Sequence, residues 1–381
     1  MSSPDQTPLA ERLREQIRRT ESCAISFRDW MDAALYDERE GYYCRADRTR
    51  WGRAGRSGQG GDYRTSPERS PLFAATFAHY FATLYDELGA PPQWTILEAG
   101  AGAGDFARVA LETLERDHPH VFRATRYVIS EISHDAHART RANLADFADR
   151  TEFYEGDCCL RDLSFECGLI FSNELLDAFP VHRVLMRGGQ LRELCVGLDE
   201  SDGFTWSEQE PTTPHLAEHF ARLDTTLAEG HIAEVNLAAD EWIEGAASAL
   251  GRGYVVTVDY GAEAAELFQM PERAGGTLRG FRAHEFVADV LAEPGAHDLT
   301  TTINWTALKR AGEAAGLETI TLERQDEFLL RAGALDQLER LAARASTEAE
   351  RVQLRLGARE MILPGGMSQS FQVLVQKKRE A

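Results

Sequence analysis

Thr95-Ile96-Leu97-Glu98-Ala99-Gly100-Ala101-Gly102-Ala103-Gly104-Asp105-Phe106 is the stretch that decides the fold of this chain. Thr95 to Leu97 is a short apolar run that reads as a buried strand, and Asp105 to Asp117 spaces its apolar residues as a helix does. The glycines between them let the backbone turn tightly and approach a ligand where a Cβ would obstruct it. A dinucleotide-binding fingerprint needs its third glycine at position 105, which is Asp105 here, so a nicotinamide dehydrogenase is excluded.

The same rhythm extends on both sides. Ser70 to Gly89 places Leu72, Phe73, Phe77, Phe81, Leu84 and Leu88 at helical spacing and stops at a glycine. Tyr127-Val128-Ile129 is a second strand, His134 to Phe147 a helix, and Glu152-Phe153-Tyr154 and Leu169-Ile170-Phe171 two further strands. Such alternation predicts a parallel sheet of Rossmann-like α/β type. The segment 188–251 breaks the pattern with a hairpin (Val184–Met186 and Leu191–Val196), a turn at Asp199 to Gly203 and amphipathic helices. Tyr254 to Val258 restores the buried strand, 265–299 is a second irregular insertion, Trp305 to Ala315 a helix and Phe371 to Gln376 a terminal strand. The expected division is therefore an N-terminal extension and lid over 1–70, a core over 71–187, 252–264 and 300–381, and a substrate lobe from the two insertions. Within the extension, Leu9 to Thr20 reads as a surface helix, and the Arg- and Gly-rich stretch from Arg45 to Gly61 as a loop.

Composition narrows the function. Of 381 residues, 43% are hydrophobic and 27% charged, which is ordinary for a globular chain able to bury a core. The longest apolar runs are too short to span a bilayer, and the N-terminus lacks the apolar region of a secretory signal, so the cytoplasm is the expected compartment. The six cysteines form no CxxC pair and no metal-ligand cluster, which fits reduced thiols and no metal site. The net charge of −21 disfavours a nucleic-acid backbone as partner, so none is expected, and suits a cationic peptide or mere solubility.

Chemistry gathers at the carboxyl ends of the strands, where open α/β sheets bind ligands. Glu98 stands two residues before the first glycine, and this spacing resembles the first motif of class I methyltransferases. Glu131 follows the second strand and could accept both ribose hydroxyls of an adenosyl group, while Asp157 follows the third and could meet the adenine amine. After the fourth strand comes Ser172-Asn173-Glu174-Leu175-Leu176-Asp177-Ala178-Phe179-Pro180-Val181, whose polar groups could orient a nucleophile or simply cap a helix.

In its ordered landmarks the chain resembles the MidA/NDUFAF7 family of class I methyltransferases. They are Ala34-Leu35-Tyr36-Asp37 with Gly41-Tyr42-Tyr43, Gly61-Asp62-Tyr63 with Thr65-Ser66-Pro67-Glu68, the glycine loop, and the segment Asn173 to Val181. Asp259-Tyr260-Gly261, Gly276-Thr277-Leu278-Arg279 with Arg282 and His284, and Asp298-Leu299-Thr300 complete the set. The resemblance implies a mostly parallel, seven-stranded sheet, S-adenosyl-L-methionine as methyl donor and, for mitochondrial members, symmetric dimethylation of an arginine in a respiratory complex I subunit. It implies that Gly100, Gly102, Glu131, Asp157 and Asn173 face the donor, with Thr65, Ser66, Pro67 and Glu68 closing over it. The turn from Glu98 to Gly104 is expected to cup the amino-acid end of the donor. Ala101 stands where the family usually has proline and Ser172 where alanine is common, and the region after Ala332 matches poorly.

For an arginine acceptor, Glu174 and Asp177 are the expected orienting carboxylates and His284 the proton acceptor. A protein or peptide substrate is thus expected. The alternatives are a small-molecule methyltransferase and a non-catalytic assembly factor that binds the donor.

Overall fold

The structure is a computed structural model that describes residues 7–45, 70–155, 160–282, 285–363 and 370–379. The expected Arg45–Gly61 loop lies almost wholly outside these residues. The chain divides into two compact units, one of residues 49–175, 244–260 and 312–381 and another of 1–48, 176–243 and 261–311.

The first unit is built on a twisted sheet whose strands are β1 (Trp94–Ala99), β2 (Thr125–Glu131), β3 (Thr151–Glu155), β4 (Phe165–Asn173), β5 (Leu250–Ala262), β6 (Leu317–Arg324) and β7 (Phe371–Lys378). Their order across the sheet is β6-β7-β5-β4-β1-β2-β3. All pairs up to β5 are parallel, whereas β7 runs antiparallel to both β5 and β6. The first strand lies inside the sheet beside the central β4, and the chain first winds outward to β3 before crossing back to β4. The reversal falls between β1 and β4, so the carboxyl ends of these two strands flank the crevice where such sheets bind ligands. The last two residues of β5 fall in the other unit, where they pair in parallel with Ile303 and Asn304.

All six strands expected of the sheet and the helix α2 (Asp105–Asp117) appear where the sequence puts them. Strands β1, β2, β4 and β5 are legible because inner parallel strands are buried on both faces and read as continuous apolar segments. Helix α1 (Pro71–Glu87) begins on a Ser70 cap, whose hydroxyl accepts from the Leu72 N–H at 3.2 Å. It buries Phe73, Phe77 and Phe81, one per turn, against the sheet. Phe77 meets Phe171 of β4 at 5.3 Å and Phe328 at 5.1 Å, while Phe106 of α2 stacks on Phe171 at 4.4 Å. Phe77 is fully buried at this junction. Phe77→Ala is therefore expected to lower unfolding free energy by about 3–5 kcal/mol in a urea titration. A loss under about 1 kcal/mol would mean that this cluster does not hold the unit together.

Beyond β6 the unit adds three helices, Gln325–Arg331, Ala334–Arg344 and Glu348–Ile362. The last opens on a capping box in which Thr347 and Glu350 bond each other's backbone N–H groups. Sequence reading left this region blank.

The second unit holds an antiparallel sheet in which Ala24–Ile25, Gln190–Leu198, His182–Arg187 and Ile232–Val235 are neighbours, with Phe204–Gln209 along Gln190–Leu198. The expected hairpin is present, pairing Val184 with Glu193 and Met186 with Leu191. So is the turn at Asp199, whose side chain accepts from the Ser201 and Gly203 N–H groups. Its helices Pro8–Arg19 and Phe27–Tyr36 bury one face each through Leu9, Leu13, Ile17, Trp30, Met31 and Leu35. The stretch 265–299, expected to be irregular, contains part of a small antiparallel sheet of Arg279–Arg282, Glu285–Phe286 and Asp298–Thr300. Short strands between turns carry too few alternating positions to be read from sequence.

Candidate functional site

The turn after β1 takes its shape from positive φ angles at Gly100 (72°), Gly102 (56°) and Gly104 (80°). A Cβ on Gly100 would come within 2.8 Å of the Leu175 side chain, and one on Gly104 within 2.6 Å of Thr140. Conformation and crowding thus both demand glycine here. The Gly100 N–H donates to the Ser130 carbonyl at 2.8 Å and the Gly104 N–H to the Ala101 carbonyl at 2.9 Å. On the helix α3 (His134–Asn143), Thr140 Oγ1 donates to the Gly102 carbonyl at 2.7 Å and Asn143 Nδ2 to that of Ala103 at 3.3 Å. Among the described residues nothing accepts from the N–H groups of Ala101 and Ala103, although Ala101 is buried. A buried backbone donor requires an acceptor, so the Ala101 N–H, with the half-buried Ala103 N–H beside it, is open to one that a ligand could supply.

Glu131 closes one side. Its Oε2 accepts from the Gly102 N–H at 2.8 Å and its Oε1 from the Ser133 N–H at 2.9 Å, which locks the carboxylate against the turn. Each oxygen keeps a second lone pair, enough for one hydroxyl apiece. Burial pushes its pKa up, while the two N–H groups oppose that and favour the anion. Ser133 also caps α3, and His137 bonds the Glu131 carbonyl at 2.7 Å. Sequence analysis missed Ser133, His137, Thr140 and Asn143. Their one signal was a run of polar residues on the inner face of the helix that follows Glu131.

Glu98 is fixed differently. It is buried beneath the turn, where the Tyr127 hydroxyl donates to its Oε2 at 2.6 Å. Desolvation, with Glu131 and Asp105 nearby, pushes its pKa up to about 8 even though the Tyr127 hydrogen bond lowers it. An acid whose folded pKa exceeds its unfolded value of 4.5 favours folding at low pH, and this contribution fades as pH climbs from about 4.5 to about 8. Glu98→Gln keeps an acceptor for Tyr127 and removes the titration. We expect its stability relative to the parent chain to rise between pH 5 and pH 8 by up to a few kcal/mol, read from urea midpoints. A pH-independent difference would contradict the burial argument.

At the end of β4, the Glu174 N–H donates to the Val258 carbonyl at 2.9 Å, and Glu174 itself is held at φ 51°, a left-handed conformation rare for such a residue. Asn173 Nδ2 donates to Glu174 Oε1 at 3.2 Å, and the buried Asn173 Oδ1 has no partner among the described residues. The neighbouring Ser172 hydroxyl is likewise buried and unsatisfied there. Asp177 belongs to the second unit. It lies buried in the turn Leu176–Ala178, whose three carbonyls accept from Asn236 Nδ2 at 2.9 Å, the Thr301 N–H at 2.9 Å and the Tyr36 hydroxyl at 3.0 Å. Thr65, Ser66, Pro67, Glu68, Asp157 and His284 lie outside the described residues. Among the described residues no cluster of side chains could hold a metal ion, and no helix is long and apolar enough to cross a membrane.

This set suits a nucleoside bearing an amino acid. Two orphan backbone donors match a carboxylate, Glu131 matches vicinal hydroxyls, and the glycine turn admits the chain between them. With the sheet order above, these features define a class I S-adenosyl-L-methionine-dependent methyltransferase. Residues 76–322 match the family described as "Putative S-adenosyl-L-methionine-dependent methyltransferase", and the chain belongs to it. It is 25% identical to the Drosophila melanogaster mitochondrial protein arginine methyltransferase NDUFAF7 homolog, with 96% of this chain and 84% of that protein covered. To the mitochondrial protein arginine methyltransferase NDUFAF7 of Homo sapiens it is 26% identical, covering 97% and 84%. A crystal structure of a COG1565 superfamily member from Burkholderia thailandensis bound to S-adenosyl-homocysteine matches with a TM-score of 0.84 at 29% identity, covering 98% of this chain and 92% of that one.

Proposed function

We propose that the chain methylates a side chain of a protein, with arginine as the acceptor residue. The observation that carries this reading is Glu174, a carboxylate at the end of β4 held in a strained backbone conformation and braced by Asn173. Strain of this kind costs about 1–3 kcal/mol and persists where it serves a site. The relatives named as protein arginine methyltransferases support the acceptor class.

Bound S-adenosyl-L-methionine supplies an electrophilic methyl group on a sulfonium. The residues of the chain do the rest. Ala101 and Ala103 N–H groups hold the amino-acid end, and Glu131 the ribose. Gly100, Gly102 and Gly104 admit the ligand, while Asn173 lines its approach. We assign Asp157 to the adenine and Thr65, Ser66, Pro67 and Glu68 to a cover over the donor. A guanidinium is charged at any ordinary pH, its pKa lying above about 12. Glu174 would grip it, and draw its charge toward one edge so that a nitrogen lone pair becomes available. His284 would take the proton. We place the reaction in the cytoplasm; the free thiols of Cys23, Cys44, Cys167 and Cys195 fit any reducing compartment.

The test is incubation of the purified chain with methyl-labelled donor and either protein or metabolite fractions from cells lacking it. Label in one protein, released on hydrolysis as methylarginine, is the expected result. Label confined to small molecules would overturn the acceptor class, and label on another residue type would overturn arginine.

A further inference from the structure

The donor and its product differ by one charge. The donor's sulfonium is positive, and the thioether left after transfer is neutral. Two buried carboxyls adjoin the turn, Glu98 and Glu131, and their hydrogen bonds are unequal. Glu131 is met by two backbone N–H groups, which favour its anion, whereas among the described residues Glu98 has only the Tyr127 hydroxyl. Both are at most 8% exposed, so two adjacent anions would repel each other with little water to screen them. Among the described residues the groups acting on Glu98 are Tyr127 and Glu131 from β2 and Asp105 from the start of α2, none of them a cation. Glu98 is therefore the member of the pair that keeps a proton.

We propose that Glu98 senses the charge on the donor's sulfur: it is protonated in the free protein and in the product complex, and it releases its proton to solvent when the sulfonium donor binds. The carboxylate formed keeps the Tyr127 O–H as its donor, and the released proton goes to buffer. With its pKa near 8 in the free protein, Glu98 is mostly protonated at pH 7. One positive charge within about 7 Å, at an effective dielectric of about 20, lowers a carboxyl pKa by about two units, enough to ionise it at that pH. Losing the charge on methyl transfer restores the proton and weakens the hold on the product, which favours exchange for fresh donor. The inference rests on donor binding alone and does not depend on which acceptor is used.

Calorimetric titration at pH 7 in two buffers of different ionisation enthalpy counts the protons exchanged. S-adenosylmethionine and S-adenosylhomocysteine are the ligands, and Glu98→Gln supplies the baseline for the ligands' own amino groups, which titrate near pH 8. With the donor, the parent chain is expected to release most of one proton more than Glu98→Gln; with the product, the two should agree. The donor's affinity should rise about tenfold or more from pH 6 to pH 8 in the parent chain relative to the variant. Tyr127→Phe serves as a second probe. Removing the hydroxyl leaves the Glu98 anion without its donor, so the excess release should shrink. Equal proton counts for parent and Glu98→Gln, the same excess with donor and product, or undiminished release in Tyr127→Phe would each overturn the proposal.

Discussion

Glu131→Gln is expected to weaken binding of S-adenosylmethionine and S-adenosylhomocysteine by at least about 100-fold in equilibrium dialysis. Two charge-assisted hydrogen bonds to ribose hydroxyls are at stake, each contributing about 1.5–3 kcal/mol, and each 1.4 kcal/mol is tenfold in affinity. Gln retains one acceptor oxygen but turns an amide N–H₂ toward either the Gly102 or the Ser133 N–H, both of which now donate to Glu131. Donor would face donor, so the turn also loses part of its support. A loss below about fivefold would show that the ribose is held elsewhere. Adenosine alone should lose affinity in the same proportion, because Glu131 acts on the sugar rather than on the amino-acid end.

Glu174 should separate stability from turnover. Glu174→Gly removes the penalty for a side chain at φ 51°, so unfolding free energy is expected to rise by about 1 kcal/mol. Glu174→Gln keeps the strain, and its stability should stay within about 0.5 kcal/mol of the parent. Both variants should bind S-adenosylhomocysteine as the parent does, because the residues assigned to the nucleoside are untouched. Methylation of the identified acceptor should fall by at least about 100-fold in each. A Glu174→Gly chain that is both less stable and fully active would remove Glu174 from the reaction and the strain argument together.

The sheet was legible because its central strands are apolar on both faces and its first turn needs glycine. Helix Asp105–Asp117 even has the bounds read from the sequence. Glu131 was legible for a topological reason: it ends the strand beside β1. Strand Leu317–Arg324 escaped notice because it lies at the sheet edge, and half-buried positions let charged residues interrupt its pattern. The helices after Arg324 resemble nothing in the family landmarks, although the capping box at Thr347 and Glu350 was there to be read. Two features of the site were beyond any sequence pattern. The left-handed backbone of Glu174 is imposed by the turn out of β4, since no glycine or asparagine announces it. The hydrogen bond of Glu98 with Tyr127 is a register effect of β1 against β2, which pairs Glu98 with Ile129 and Ile96 with Tyr127.

A crystal structure of this chain grown with S-adenosylhomocysteine tests the central claim most directly. The account predicts both ribose hydroxyls at about 2.6–3.0 Å from the two carboxylate oxygens of Glu131, and the ligand's carboxylate on the N–H groups of Ala101 and Ala103. A nucleoside bound with Glu131 still facing only Gly102 and Ser133, and its sugar held by other residues, would contradict it.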